Sequence, residues 1–207
     1  MLPEEASVAA HICGDGWIGK FIEKKVLQVV QGRRYWRDRM RYAASFCNTD
    51  KALLESFRDE VKIAFGIKCR MTRNQMHLHS KRVYDRLQAL GAGSSRAWTI
   101  SDEIFQADYE SRRAWIRAFF DDESTVDLVT RRIRVKSVNG PGLEKVHALL
   151  VGLGINGKIT GPNIEGTWYL TLSKEAAVAF ANQVGSRHSE KVQKLHRLTT
   201  KLTVSGL

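Results

Sequence analysis

The stretch Val8-Ala9-Ala10-His11-Ile12-Cys13-Gly14-Asp15-Gly16 decides the fold, because the chain carries a counterpart of it at Ile116-Arg117-Ala118-Phe119-Phe120-Asp121-Asp122-Glu123-Ser124. Each copy is a small or apolar run suited to a helix. It is closed by Gly or Ser with an acid just before, and strand-like residues follow. Ala10 and Ala118 occupy one matched position, Asp15 and Glu123 another. The pairing reads as an internal duplication that puts two carboxylates at the same end of two related helices, poised to meet. A lone acid before Gly most often only ends a helix; two in duplicated contexts argue for chemistry.

Working outward, Pro3 with Glu4 and Glu5 opens the first helix, which runs to about Gly14. Residues 17–46 read as two strands about a turn at Gln31-Gly32. In the second, Arg37, Arg39 and Arg41 point one way and Trp36, Met40, Tyr42 and Phe46 the other, a basic face and a core face. Thr49 or Asp50 caps a helix bearing Leu53, Leu54, Phe57, Val61 and Phe65 at helical spacing, and Gly66 ends it. Strand 67–72 sets Ile67, Cys69 and Met71 against Lys68, Arg70 and Thr72; strand 75–79 sets Met76 and Leu78 against Gln75, His77 and His79. Ser80 caps a helix to Leu90.

Residues 92–107 are rich in Gly, Ser and Ala at their start and lack a long periodic pattern, as a linker does. The order then repeats. Asp108 caps the helix of Trp115, Phe119 and Phe120, and Ile133 and Val135 oppose Arg132, Arg134 and Lys136. A helix follows Gly140-Pro141. Ile155 and Ile159 then oppose Asn156, Lys158 and Thr160, while Trp168, Leu170 and Leu172 oppose Thr167, Tyr169 and Thr171, before a helix over 173–184. The expected fold is α+β, two α-β-β-α-β-β-α halves over residues 1–91 and 108–207. The second half includes a basic C-terminal helix with Lys191, Lys194, Arg197 and Lys201.

Charge narrows the partner. Lys and Arg number 33 against 22 Asp and Glu, a formal charge of +11, and a pI near 9.8 points to a polyanion. No apolar run approaches the roughly 20 residues that span a bilayer, and Met1-Leu2-Pro3-Glu4-Glu5 lacks the features of a signal peptide. The expectation is a soluble, unexported protein without membrane attachment, in the cytoplasm or an organellar matrix. Cys13, Cys47 and Cys69 are widely spaced and suit free thiols in a reducing compartment.

The polar strand faces are almost purely basic or neutral, whereas a merely solvated face mixes both signs. A twisted antiparallel sheet can enter the major groove, where Arg reads guanine, Gln or Asn reads adenine and Lys meets phosphate. Arg37, Arg39, Arg41, Lys68, Arg70, Gln75, His77 and His79 are the candidate contacts of one half-site. Arg132, Arg134, Lys136, Asn156, Lys158 and Tyr169 are those of the other. Gly152-Leu153-Gly154-Ile155-Asn156-Gly157 spells a dinucleotide fingerprint, but with the helix before it and the strand after. His77 and His79 lack an acidic or Cys neighbour that would favour a metal over a base or phosphate.

The two motifs resemble those of the LAGLIDADG homing endonucleases in their single-chain, two-motif form. The resemblance implies motif helices packed side by side on a pseudo-twofold axis, with small residues such as Ala9, Ala10 and Ala118 letting the backbones approach, and antiparallel sheets forming a DNA-binding saddle. It implies a monomer that makes a site-specific double-strand break in a long duplex target. Asp15 and Glu123, with the backbone carbonyls of Gly14 and Asp122, would hold Mg²⁺; Mn²⁺ would substitute, and Ca²⁺ would bind without cleavage. Arg96 and Lys191 fall where the family often places a basic helper, and Asn48 and Ser137 at the second-strand end where a polar residue organises solvent. Cys13 stands where the first Asp of the motif is usual, His11 replaces an apolar residue and Glu123 replaces Asp. The alternative is an intron RNA maturase of the same fold, which binds RNA without needing the acids.

Overall fold

The computed structural model describes residues 1–203, with side chains through Thr200; the Lys201 side chain and residues 204–207 lie outside it. The chain opens on helix α1 (Pro3–Cys13), with Pro in its first turn, and the strands β1 (Gly16–Val30) and β2 (Arg33–Cys47). Helix α2 (Lys51–Phe65) follows, capped by the Asp50 side chain and ended by Gly66 at φ 68°. Then come β3 (Arg70–Thr72), β4 (Gln75–Leu78) and α3 (Lys81–Ala89), capped by Ser80. A short helix α4 (Asp102–Phe105) lies in the connection, where Trp98, Ile100 and Ile104 are buried.

The sequence of elements repeats as α5 (Tyr109–Glu123), β5 (Ser124–Asp127), β6 (Arg132–Ser137), α6 (Gly140–Val151), β7 (Lys158–Thr160), β8 (Trp168–Ser173) and α7 (Glu175–Gln183). Helix α8 (Ser189–Thr203) closes the described chain and packs on the second half through the buried Leu195 and Leu198. Each half holds a four-stranded antiparallel sheet of the same order, β1-β2-β4-β3 and β5-β6-β8-β7. Helices α1 and α5 form the most extensive helix pair of the molecule. From Ala6 to Cys13 every residue of α1 is buried, as are Ala114 to Ile116 and Ala118 to Asp121 of α5. Burial on this scale puts the two helices at the centre of the core.

The strands differ from the sequence reading in both burial and extent. Trp36 and Met40, expected in the core, are 68% and 45% exposed. The β1–β2 hairpin runs past the helices that would cover it, so only its base, Ala43 to Phe46, is buried. Residues 67–69 and 155–157 are not strand: β3 and β7 each keep three residues. Lys68 and Asn156 therefore precede their sheets, and Met71, expected inside, is exposed on the edge strand. Thr167, expected on the polar face, is buried and its amide donates to Asn163 Oδ1.

Candidate active site and nucleic-acid interface

Helices α1 and α5 end side by side, which brings Asp15 and Glu123 within electrostatic reach of each other. Burial, then the charges of Asp15 and Asp122, push the Glu123 carboxyl up to about 7, with the Lys191 ammonium opposing. Burial also raises Asp15, against the pull of Lys191, His11, a hydrogen bond from Asn48, and His188. The Asn48 amide donates to Asp15 Oδ2 at 3.1 Å. Ser137, at the matching strand end, lines a cleft of about 250 Å³ with Gly14, Ser95, Lys136 and Glu123.

The third acid of the cluster turns inward. The Asp122 carboxyl lies in the α1–α5 interface with its oxygens 2.9 and 3.1 Å from His11 Nδ1. Burial, then the charges of Asp15 and Asp121, hold it well above the usual carboxylate range. Burial lowers His11 to about 4, so the imidazole is neutral at ordinary pH. Gly14 makes room for this pair: a Cβ there would meet Asp122 Cβ and Oδ2 at 2.8 Å. His11, which departs from an apolar position, thus has a polar partner across the helix pair.

Lys191 reaches the cluster from α8. Its Nζ donates to the Phe120 and Asp121 carbonyls at 2.9 and 2.6 Å, placing a cation on the C-terminal end of α5. Burial lowers its pKa while Asp121, Asp122, Asp15 and Glu123 resist the loss of charge. Arg96 is not brought there: it is exposed and, among the described residues, makes no hydrogen bond or ion pair. Its neighbour Ser95 lines the Glu123 cleft instead.

The donor set suits a hard divalent cation. Two carboxylates and the adjacent backbone oxygens are what such ions take, and the Glu123 carboxyl is raised first by burial and then by the charges of Asp15 and Asp122. Among the described residues no three His, Cys, Asp or Glu side chains gather to hold an ion by themselves.

Beside the acids the two sheets present their polar faces. In the first half, register aligns Ser45 with His77, Cys47 with Gln75, and His77 with Arg70, on the face that Arg37, Arg39 and Arg41 share. His77 contacts Thr72 Oγ1 at 2.8 Å and stacks on His79, which follows β4. In the second, Arg132, Arg134 and Lys136 share their face with Lys158 and Tyr169, and the Arg134 guanidinium lies 5.6 Å from the Tyr169 ring centre. Asn156 is exposed in the turn before β7, its Oδ1 taking the Gly157 amide at 2.9 Å. A cleft of about 260 Å³ joins Glu123 to Arg132, Arg134, Lys136 and Tyr169.

Sequence reasoning missed part of this surface. Trp17, Phe21 and Gln28 share the first basic face through their pairing with β2, as Tyr35 does within β2, and Thr125, Asp127 and Ser173 share the second. The faces also carry two acids, which the expected near-absence of acids left out: Glu23 pairs with Arg41, and Asp127 stands opposite Arg132.

Comparison with known proteins agrees with this geometry. Residues 110–185 match the model of a LAGLIDADG-like domain. The chain as a whole has the fold of the LAGLIDADG homing endonucleases. A mesophilic variant of the homing endonuclease I-DmoI superposes with a TM-score of 0.65 at 18% identity, covering 88% of this chain and 95% of that one. I-WcaI bound to its DNA recognition sequence gives 0.62 at 12% identity over 92% of this chain and 85% of the other. The I-SmaMI LAGLIDADG homing endonuclease bound to cleaved DNA gives 0.58 at 11% over 99% and 90%. I-DmoI complexes with DNA have been solved with Mn and with Ca. No curated protein matches the sequence. Among the described residues no helix is long and apolar enough to cross a membrane.

Proposed function

We propose that the protein is a divalent-metal-dependent endodeoxyribonuclease that recognises a long duplex site as a monomer and breaks both strands across the minor groove. The observation that carries this reading is the shared cleft: Glu123 opens onto the same space as Arg132, Arg134, Lys136 and Tyr169, so the acid and the candidate base readers address one ligand. The nuclease complexes of the same fold with DNA and with Mn or Ca support it.

Asp15 and Glu123, with the carbonyls of Gly14 and Asp122, are the groups that would hold the ions, Mg²⁺ first and Mn²⁺ as substitute. Such ions make a water nucleophilic and stabilise the leaving oxygen of a phosphodiester. Asn48 fixes the orientation of Asp15 through its amide, and Ser137 holds the equivalent place beside Glu123. Lys191 offsets the crowded negative charge when a phosphate enters, and Arg96 contributes a phosphate contact. The basic strands fix position and register: the Arg residues read guanine edges, Gln75 reads adenine, and the Lys residues meet phosphates.

The test is a supercoiled plasmid carrying the intronless or inteinless host gene, incubated with protein and Mg²⁺ and scored as supercoiled, nicked or linear. Linear product is expected. An untouched plasmid together with tight binding to the intron RNA would replace the nuclease reading by the maturase one.

A further inference from the structure

The segments that follow the third helix of each half cross over to the other half. After α3, the connection reaches α6: Asn139 Nδ2 donates to the Trp98 carbonyl at 2.6 Å and Lys145 Nζ to the Ile100 carbonyl at 3.0 Å. After α7, the chain reaches α2: the Ser189 amide donates to Asp50 Oδ2 at 2.8 Å, and Arg187 Nη1 donates to Ser56 Oγ at 2.8 Å and to Glu60. Each crossing segment thus grips the N-terminal cap of the other half's middle helix. Each gripped cap in turn holds the strand-end residue beside an acid. The Asp50 amide donates to Asn48 Oδ1 at 2.9 Å, and the Asn139 amide donates to Ser137 Oγ at 3.1 Å.

The two grips occupy equivalent places but differ in chemistry. In the second half the cap is the neutral Asn139, tied to a backbone carbonyl. In the first it is a carboxylate with only 7% of its side chain exposed, facing His188 Nδ1 at 3.3 Å. The Glu190 amide also lies 3.2 Å from that nitrogen. From His188 through Asp50 and Asn48, contacts run without a gap to Asp15 Oδ2. No such run ends at Glu123 among the described residues: the Ser137 hydroxyl accepts from the Asn139 backbone amide and makes no bond to the Glu123 carboxylate.

We propose that Asp50 and His188 are positioning residues for the Asp15 site alone, so that the two strand cuts depend unequally on the grip at Asp50. The inference rests on the endonuclease reading. Asp50 holds the amide that Asn48 Oδ1 accepts, and fixing that end of Asn48 aims its Nδ2 at the Asp15 carboxylate. Loss of this grip frees Asn48 to rotate and leaves Asp15 misaligned for its phosphate. Near Glu123 the same segment holds α5 through Ser186 and Arg187 on the Asp121 carboxylate and Lys191 on the Phe120 and Asp121 carbonyls, contacts that do not pass through Asp50 and that its substitution leaves in place.

The experiment uses the full chain and a duplex target end-labelled separately on each strand, in Mg²⁺. Asp15→Asn first identifies the strand that depends on Asp15. Asp50→Asn, which keeps a helix-capping side chain, and His188→Ala should slow that same strand by about 10- to 100-fold, a usual effect of removing a residue that supports a metal ligand. The other strand should change by less than about 2-fold, and His188→Gln should recover part of the loss. Equal slowing of both strands by Asp50→Asn at unchanged Tm would overturn the inference, because a grip that only holds the fold acts on both sites. A wild-type protein that cuts neither strand overturns the endonuclease reading beneath it, an outcome distinct from equal slowing.

Discussion

The two halves have the same order of elements and the same sheet topology, yet they divide the work differently. Strands β1 and β2 are 15 residues each, whereas β5 has four and β6 six. The first half therefore sends a ribbon beyond its own core, with both faces in solvent and Arg37, Arg39 and Arg41 along one of them. The second keeps Arg132, Arg134 and Lys136 next to its acid, in a cleft with Glu123. Reach and chemistry are separable properties of one repeated unit: the helix ends are constrained by packing at the centre, while the strands are free to lengthen at the rim.

The comparison breaks most readily on salt. If about 6 to 10 phosphates are neutralised across both sheets, affinity for duplex DNA should fall about 10³- to 10⁵-fold between 50 and 200 mM salt. Replacing the three hairpin arginines together should flatten the slope by about 0.9 for each phosphate they neutralise, measured by fluorescence anisotropy. A flat wild-type response removes the basic-saddle account.

A smaller effect sharpens the division between the halves. Arg39→Ala and Arg134→Ala should each weaken the cognate site by about 1–3 kcal/mol if the contact is bidentate to guanine, and each should relax a different half-site. Competition with half-site substitutions reads this directly; equal losses on every sequence mark phosphate contacts. Arg134 has its guanidinium over Tyr169 and is the more pre-oriented of the two.

The smallest expected effect lies in the stability of the metal-free protein. Folding raises Glu123 from 4.5 to about 7, so its contribution is full below about 4.5 and is lost as pH rises through about 7. His11, lowered to about 4, acts oppositely and costs stability as pH falls below 6.5. Glu123→Gln removes the first term only. In chelator its Tm should exceed that of the wild type above pH 7 and converge on it near pH 4.5, by about 2–4 °C for each kcal/mol relieved.

Much of this was legible in the sequence, and the boundary of legibility is physical. The helix caps Asp50, Ser80 and Asp108 and the terminating Gly66 act within a few residues of chain, so reading them locally was enough. The alternation of β2, β6 and β8 named most of the polar face. It failed at Trp36 and Met40, because alternation reports which side a residue takes and not whether anything covers that side. It was silent on β1, where the bulge between Glu23 and Val26, with Lys25 at φ 51°, shifts the register midway. The duplicated motif placed Asp15 and Glu123, and Asn48 and Lys191 reach the cluster. The inward turn of Asp122 onto His11, the exposure of Arg96 and the crossing grips on Asp50 and Asn139 are contacts between distant segments. No local pattern encodes them.

The central claim is that Asp15 and Glu123 hold the ions for cleavage and are dispensable for binding. Asp15→Asn and Glu123→Gln keep the shape of each side chain and remove its charge. The decisive measurement pairs target binding in Ca²⁺ with plasmid cleavage in Mg²⁺ for the wild type and both variants. Binding should be kept by all three proteins, with linear product formed by the wild type alone and at most a nick left by either variant. Linearisation at the wild-type rate by either variant contradicts the account.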